Sequence, residues 1–84
     1  MYYVYAIQSL VDYRIYVGLS NDYNRRIHEH NLGYTKSTKP YIPWVLIYQE
    51  QCETRVSARV REKYLKSGCG KEFLKTKYSR VAQR

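Results

Sequence analysis

Residues 2–30 read YYVYAIQSLVDYRIYVGLSNDYNRRIHEH, and how this stretch divides decides the fold. Aromatic and β-branched residues crowd residues 2–8, YYVYAIQ, and 13–18, YRIYVG, two runs of strand length. The intervening SLVD fits a short hairpin loop. In the first run Tyr3, Tyr5 and Ile7 share one face, while Tyr2, Val4 and Ala6 share the other. Neither face is polar, so both are expected to meet protein. From Ser20 the pattern changes, because Ser20, Asn21 and Asp22 can each cap a helix by accepting its orphan backbone N–H groups. At about 100° per residue, Tyr23, Arg26, Ile27 and His30 gather on one stripe, with Asn24, Arg25, His28 and Glu29 opposite. Two ionisable groups, Arg26 and His30, thus lie on the apolar side.

Beyond this helix, residues 31–43, NLGYTKSTKPYIP, form a basic, aromatic loop whose composition suits a mobile, gripping segment. Residues 44–50, WVLIYQE, are a nearly unbroken apolar run, expected to be a strand covered on both faces. Thr54 can cap a second helix running to about Ser67, with Val56, Val60 and Tyr64 as its apolar row and Ala58, Glu62 and Leu65 further round. The glycines of SGCGKE read as its stop, and a short final helix passes through Phe73 and Leu74. The basic KTKYSRVAQR that follows shows no pattern and is expected to fray. The expected architecture is α+β: a small, three-stranded, mainly antiparallel sheet flanked by helices, in the order ββαβα with a short extra helix. Residues 1–76 would form one domain and 77–84 a basic tail.

Eighty-four residues allow one small core. Fifteen Lys and Arg against seven Asp and Glu give a net charge of +8, which favours a polyanionic partner. No basic, apolar leader follows Met1, and no stretch approaches the roughly 20 apolar residues of a membrane span. Cys52 and Cys69 are too few and too far apart for a zinc site, and a single bridge is a thin framework for a secreted domain. A cytoplasmic monomer with no membrane association and no small-molecule cofactor is the expectation.

Several residues invite two accounts. Arg26 and His30 are one turn apart: the Arg stem either snorkels along the core edge while His30 packs, or the two line a pocket, one matching phosphate oxygens and the other exchanging a proton. Glu62 is the one acid between Thr54 and Ser67, amid Arg59, Arg61, Lys63 and Lys66. It is either a surface partner for Lys66 or an oxygen ligand for a hard cation. Eleven tyrosines exceed what so small a core needs, although tyrosine is itself a good strand residue.

Spacing brings these residues together. The chain resembles the GIY-YIG nuclease superfamily, whose name records two short motifs on adjacent strands; here they read Tyr3-Val4-Tyr5 and Tyr16-Val17-Gly18. The family has an Arg eight residues after the second Gly and a His four further on, matched by Arg26 and His30. Its metal-binding Glu falls at Glu62 in RVREKYLKSGCGKEFLK, a segment similar to that of small stand-alone bacterial members. The resemblance covers about Tyr2 to Lys75. Tyr3 stands where the family often has Gly, Val replaces Ile in both motifs, and no Asn follows Asn31, although many family nucleases carry one near the end of the domain.

The resemblance implies metal-dependent hydrolysis of DNA phosphodiester bonds, with RNA as a second candidate substrate. Glu62 would hold Mg²⁺ or Mn²⁺, Arg26 would neutralise phosphoryl charge, and Tyr5 would act as base, relayed or oriented by His30, with Tyr16 positioning water or phosphate. Lys36, Lys39, Arg25, Lys66 and Lys71 would hold the backbone without reading sequence. That implies structure-selective or weakly specific cleavage, of the kind used in repair or recombination. The competing expectation is a module of the same fold that binds nucleic acid without turning it over.

Overall fold

The computed structural model describes residues 1–79. Strands β1 (Tyr2–Ser9) and β2 (Ile15–Ser20) precede helix α1 (Tyr23–Asn31); a 3₁₀ turn (Lys39–Tyr41) leads into β3 (Trp44–Cys52), and helices α2 (Arg55–Lys66) and α3 (Gly68–Tyr78) follow. Both strand pairings are antiparallel and the sheet order is β2-β1-β3. The chain is therefore α+β with the element order expected of it.

The apolar run that decided the fold becomes the central strand. Val4 to Ser9 are all buried, because β1 has a neighbour on each edge and helices on each face. On one face Val4, Ala6, Ile15 and Val17 pack with Ala58, Leu65 and Leu74. On the other, Tyr5, Ile7 and Trp44 are covered by Tyr16, Tyr23 and Ile27. Each fully buried aliphatic side chain contributes about 1.5–3 kcal/mol, so this two-sided core is the main stabilising feature of a small chain. Against β3 the register slips between Ala6 and Ile7, where Ile47 is the extra residue.

Several expectations are corrected. Tyr13 is not in a strand: it sits in the hairpin with φ of 66°, its N–H donating to the Ser9 carbonyl at 3.0 Å and its carbonyl accepting from the Gln8 side chain at 3.0 Å. Strand β3 lies at the sheet edge rather than covered on both faces, with Gln49 and Gln51 exposed; the doubly covered strand is β1. The loop after α1 is not a free gripping segment, since Thr38 is buried within it and bonded to both His30 and Trp44.

Helix α2 starts at Thr54 as expected, in a capping box with Ser57. Its exposed row, however, is Val56, Val60 and Tyr64, with Val56 75% and Val60 62% exposed, while Ala58, Glu62 and Leu65 turn inward. Arg61 holds this rotation by two hydrogen bonds to Glu50 of β3, at 2.7 and 3.1 Å. Leu65 holds it from the other end against Gly70, where any Cβ would overlap the Tyr64 carbonyl and the Leu65 backbone. The glycines of SGCGKE are therefore not a stop but part of the first turn of α3, where Gly70 is close-packed and Gly68 faces open space. The stop is Ser67, which ends α2 in extended backbone and caps α3 through its hydroxyl.

Helix α3 is also longer than expected and runs through the anticipated domain boundary at residue 76. Tyr78 packs edge-on against Tyr48 and Phe73, with ring centroids at 4.9 and 5.4 Å, which ties the last turn to β3. The rest of the expected tail, residues 80–84, lies outside the described residues. No helix among the described residues is long and apolar enough to cross a membrane.

Candidate active site

The site begins at the register pair Tyr5 and Gly18. Tyr5 points from the central strand across β2, and its ring lies over Gly18: a Cβ there would overlap the phenol hydroxyl and its ring carbon. Any other residue at position 18 would close the path by which Tyr5 reaches the sheet edge.

Helix α1 supplies the partner. Asp22 caps it by accepting from the Arg25 N–H at 3.1 Å, fixing the start of the helix so that Tyr23, Ile27 and His30 face the sheet. His30, fully buried, meets the Tyr5 hydroxyl through Nε2 at 3.1 Å and the Thr38 hydroxyl through Nδ1 at 2.8 Å. The Tyr16 ring stands edge-on to the imidazole, 5.0 Å between centroids, and 6.3 Å from the Trp44 ring. Trp44 donates its indole N–H to the Thr38 carbonyl at 2.9 Å, and Asn31 clamps the Trp44 backbone with bonds of 2.7 and 3.0 Å. Tyr5, Tyr16 and His30 thus form one contact group.

Arg26 and Glu62 approach that group from different helices. Burial pushes the Tyr5 phenol up to about 12; the neighbouring Tyr16 and the Glu62 carboxylate add to the rise, while the Arg26 guanidinium opposes it. The two charges thus act on the Tyr5 phenol in opposite directions, Glu62 the more weakly. Burial, then the Arg26 charge, holds the His30 imidazole below its ordinary value, with Glu29 pulling weakly the other way. Arg26 is half-buried and bonded to Glu29 at 2.6 Å, which raises its own proton affinity. Glu29 was expected on the opposite stripe of α1; its side chain folds back one turn to reach Arg26.

Glu62, 7% exposed, accepts from Arg59 at 3.4 Å and pairs with Lys66 at 3.2 Å. Among the described residues no three His, Cys, Asp or Glu cluster to cage a metal ion. A single carboxylate does suit Mg²⁺ or Mn²⁺, which keep most of their waters and complete their shell with substrate phosphate oxygens. Glu62 has the donor chemistry for such an anchor, but in this structure Arg59 is paired with its Oε1 and Lys66 with its Oε2, and both would have to yield to an ion.

The residues expected to hold the nucleic-acid backbone divide. Arg25, Lys36 and Lys39 are exposed, Arg25 beside Asp22 and Glu29. Lys66 is exposed but engaged with Glu62. Lys71 is half-buried and donates to the Ile15 carbonyl at 2.9 Å, its proton affinity lowered by burial and by Lys75 and Lys66. One of its three N–H donors is thus used by β2. A hollow of about 460 Å³ on the outer face of α2, lined by Arg55, Val56, Arg59, Val60 and Lys63, includes none of Tyr5, Tyr16, Arg26, His30 or Glu62.

Thr38 and Asn31 were not anticipated as parts of the site. In sequence Thr38 is one polar residue in a polar loop. The available signal was His30, a buried imidazole whose second nitrogen needs a partner.

Comparison with known proteins matches the family description "GIY-YIG catalytic domain" to residues 1–78. The UPF0213 proteins of Staphylococcus aureus strains Mu3, Mu50 and N315 are each 37% identical to the chain over 67 residues, covering 79% of this chain and 80% of theirs. No solved structure matches the chain.

Proposed function

The chain belongs to the GIY-YIG family, a nuclease superfamily, and from that premise we propose that it is a divalent-metal-dependent endonuclease that hydrolyses DNA phosphodiester bonds. The observation that carries the reading is the Tyr5 hydroxyl, seated over Gly18 on His30 and acted on by one cation from α1 and, more weakly, one anion from α2. A buried phenol needs a hydrogen-bond partner in any role; what supports a chemical one is that the partner is an imidazole able to take its proton, with the Arg26 charge favouring the phenolate.

In this reading Tyr5 is the general base. Its proton passes to His30 Nε2, and the resulting phenolate takes a proton from the attacking water. Burial alone disfavours that phenolate, so positive charge must offset it. Arg26 supplies part of this charge and also neutralises the phosphoryl oxygens as negative charge develops. Glu62 would hold the divalent ion, Mg²⁺ or Mn²⁺, which would supply polarisation of the scissile phosphate and stabilisation of the leaving oxygen. Tyr16, half-buried beside His30, orients water or phosphate. Arg25, Lys36 and Lys39 hold the backbone without reading bases, which favours structure-selective or weakly specific cleavage in repair or recombination. The free thiols of Cys52 and Cys69 suit a reducing cytoplasm.

One observation favours the second reading, a module that binds nucleic acid without turnover: both Glu62 oxygens already have cationic partners. Purified protein incubated with branched, nicked, single-stranded and duplex DNA, with Mg²⁺, Mn²⁺ or a chelator, separates the two. Cleavage should require the metal and fall about 10²–10⁴-fold in Tyr5→Phe, as for loss of a general base, and Glu62→Ala and Arg26→Ala should also lose it. Binding without cleavage on every substrate, or cleavage unchanged by Glu62→Ala, overturns the nuclease reading in favour of the binding module.

A further inference from the structure

His30 is fully enclosed, and each of its ring nitrogens has one neighbour: Tyr5 Oη at 3.1 Å from Nε2 and Thr38 Oγ1 at 2.8 Å from Nδ1. A neutral imidazole has one N–H and one bare nitrogen, so the two contacts are compatible with two opposite hydrogen-bond directions. In one, Tyr5 donates to Nε2. In the other, Nε2–H donates to Tyr5, and the phenol proton has no acceptor on the imidazole. Only the first allows His30 to receive a proton from Tyr5.

Thr38 decides between them. Its hydroxyl has a single proton, for which the Thr35 carbonyl, 3.3 Å away, offers an acceptor, so Oγ1 is free to present a lone pair to Nδ1. With the imidazole hydrogen on Nδ1, the Tyr5, His30 and Thr38 protons each have an acceptor, on Nε2, Thr38 Oγ1 and the Thr35 carbonyl; with it on Nε2, the buried Tyr5 proton has none on His30. The arrangement is held from several sides. The Thr38 N–H donates to the same Thr35 carbonyl at 3.1 Å, its carbonyl takes the Trp44 indole N–H at 2.9 Å, and its side chain is buried. A loop that by composition looked unconstrained is thus pinned at the residue that touches the imidazole.

We propose that Thr38 is a positioning residue: it holds His30 as the Nδ1–H tautomer, leaving Nε2 bare as the acceptor of the Tyr5 proton. The catalytic part of this inference rests on the nuclease reading above; the tautomer itself does not. An Nδ1–H locked onto Thr38 keeps the acceptor lone pair aimed along the Tyr5 contact in every turnover, the role that a hydrogen-bonded orienting group plays for a general base elsewhere.

The test is ¹H–¹⁵N long-range correlation NMR on the full-length ¹⁵N-labelled protein, with His28→Gln used to assign the His30 ring signals. Wild type should show the Nδ1–H tautomer. Thr38→Val, which keeps the shape but removes the acceptor, should move His30 toward Nε2–H, and Thr38→Ser should restore Nδ1–H. In the cleavage assay Thr38→Val should lower kcat about 10–100-fold with little change in KM, and Thr38→Ser should recover it. An Nε2–H wild type, or a Thr38→Val protein that keeps Nδ1–H, overturns the inference. Thr38→Val that changes tautomer yet cleaves like wild type overturns the positioning role. If wild type cleaves no substrate, the nuclease reading and the catalytic role of Thr38 fall together, while the spectrum still decides the tautomer. The wild-type spectrum needs no variant, so a Thr38→Val that fails to fold does not remove the test.

Discussion

A methyl group at residue 18 would occupy the space of the Tyr5 hydroxyl, and from this overlap a stability prediction follows. Gly18→Ala should cost about 1–3 kcal/mol in urea unfolding, the usual range for overpacking, and much less when Tyr5→Ala has already vacated the space. Additive costs in that double-mutant cycle would mean that the two side chains do not compete for one volume. His30 gives a pH signature. Its folded-state pKa lies below the ordinary 6.5. The unfolded chain therefore binds the proton first, and the stability gained by keeping the imidazole neutral is complete above about 6.5 and declines as pH falls from there toward the folded value. Urea midpoints at pH 7.5 and pH 5 should show this decline in wild type and a weaker one in His30→Gln; equal declines would place the titration elsewhere. Helix periodicity put Arg26 and His30 on the inward stripe of α1, whereas Tyr5 and Tyr16 stood out from the other tyrosines only through the resemblance to the GIY-YIG family. Thr38 was not legible, because its bond to His30 depends on the path of an irregular loop. Tyr13 was misplaced because strand propensity does not reveal a left-handed turn residue.

Helix α2 shows where periodicity stops being informative. Val56, Val60 and Tyr64 make one row at helical spacing, and Ala58, Glu62 and Leu65 make another that also fits it. The more hydrophobic row was expected inside, yet the row with the small Ala58 is the one that faces the sheet. The choice is tertiary: Arg61 reaching Glu50 and Leu65 meeting Gly70 fix the rotation, and neither pairing can be read from α2 alone. That rotation is also what turns Glu62 inward, so the candidate metal anchor depends on contacts at both ends of the helix. Val56→Ser and Val60→Ser should each shift stability by no more than about 0.5 kcal/mol, as exposed substitutions do, whereas Ala58→Leu should cost about 1–3 kcal/mol by overpacking. Thermal or urea unfolding decides this, and a large loss from Val60→Ser would contradict the observed rotation.

Across the molecule, the sheet separates two helical layers, yet Arg26 of α1 and Glu62 of α2 both bear on the Tyr5 phenol, whose side chain crosses Gly18 of β2. The chain carries a net charge of +8, but its cations have different occupations. Lys36 and Lys39 stand exposed on the loop that Thr38 anchors, while the Lys71 ammonium is already bonded to the Ile15 carbonyl. For a protein that grips phosphates, affinity falls with salt in proportion to the number of counterions released, and each phosphate contact removed lowers the logarithmic slope by about 0.9 for duplex DNA. Lys36→Gln and Lys39→Gln should therefore each weaken binding to all duplexes alike and reduce that slope by nearly one, with unfolding unaffected. Lys71→Gln should behave in the opposite way, leaving the slope close to wild type and lowering stability through the lost bond to β2. Fluorescence anisotropy over a salt series, paired with urea unfolding, reads both quantities. A Lys71→Gln protein that loses slope without losing stability would return Lys71 to the binding surface and show its bond to Ile15 to be dispensable.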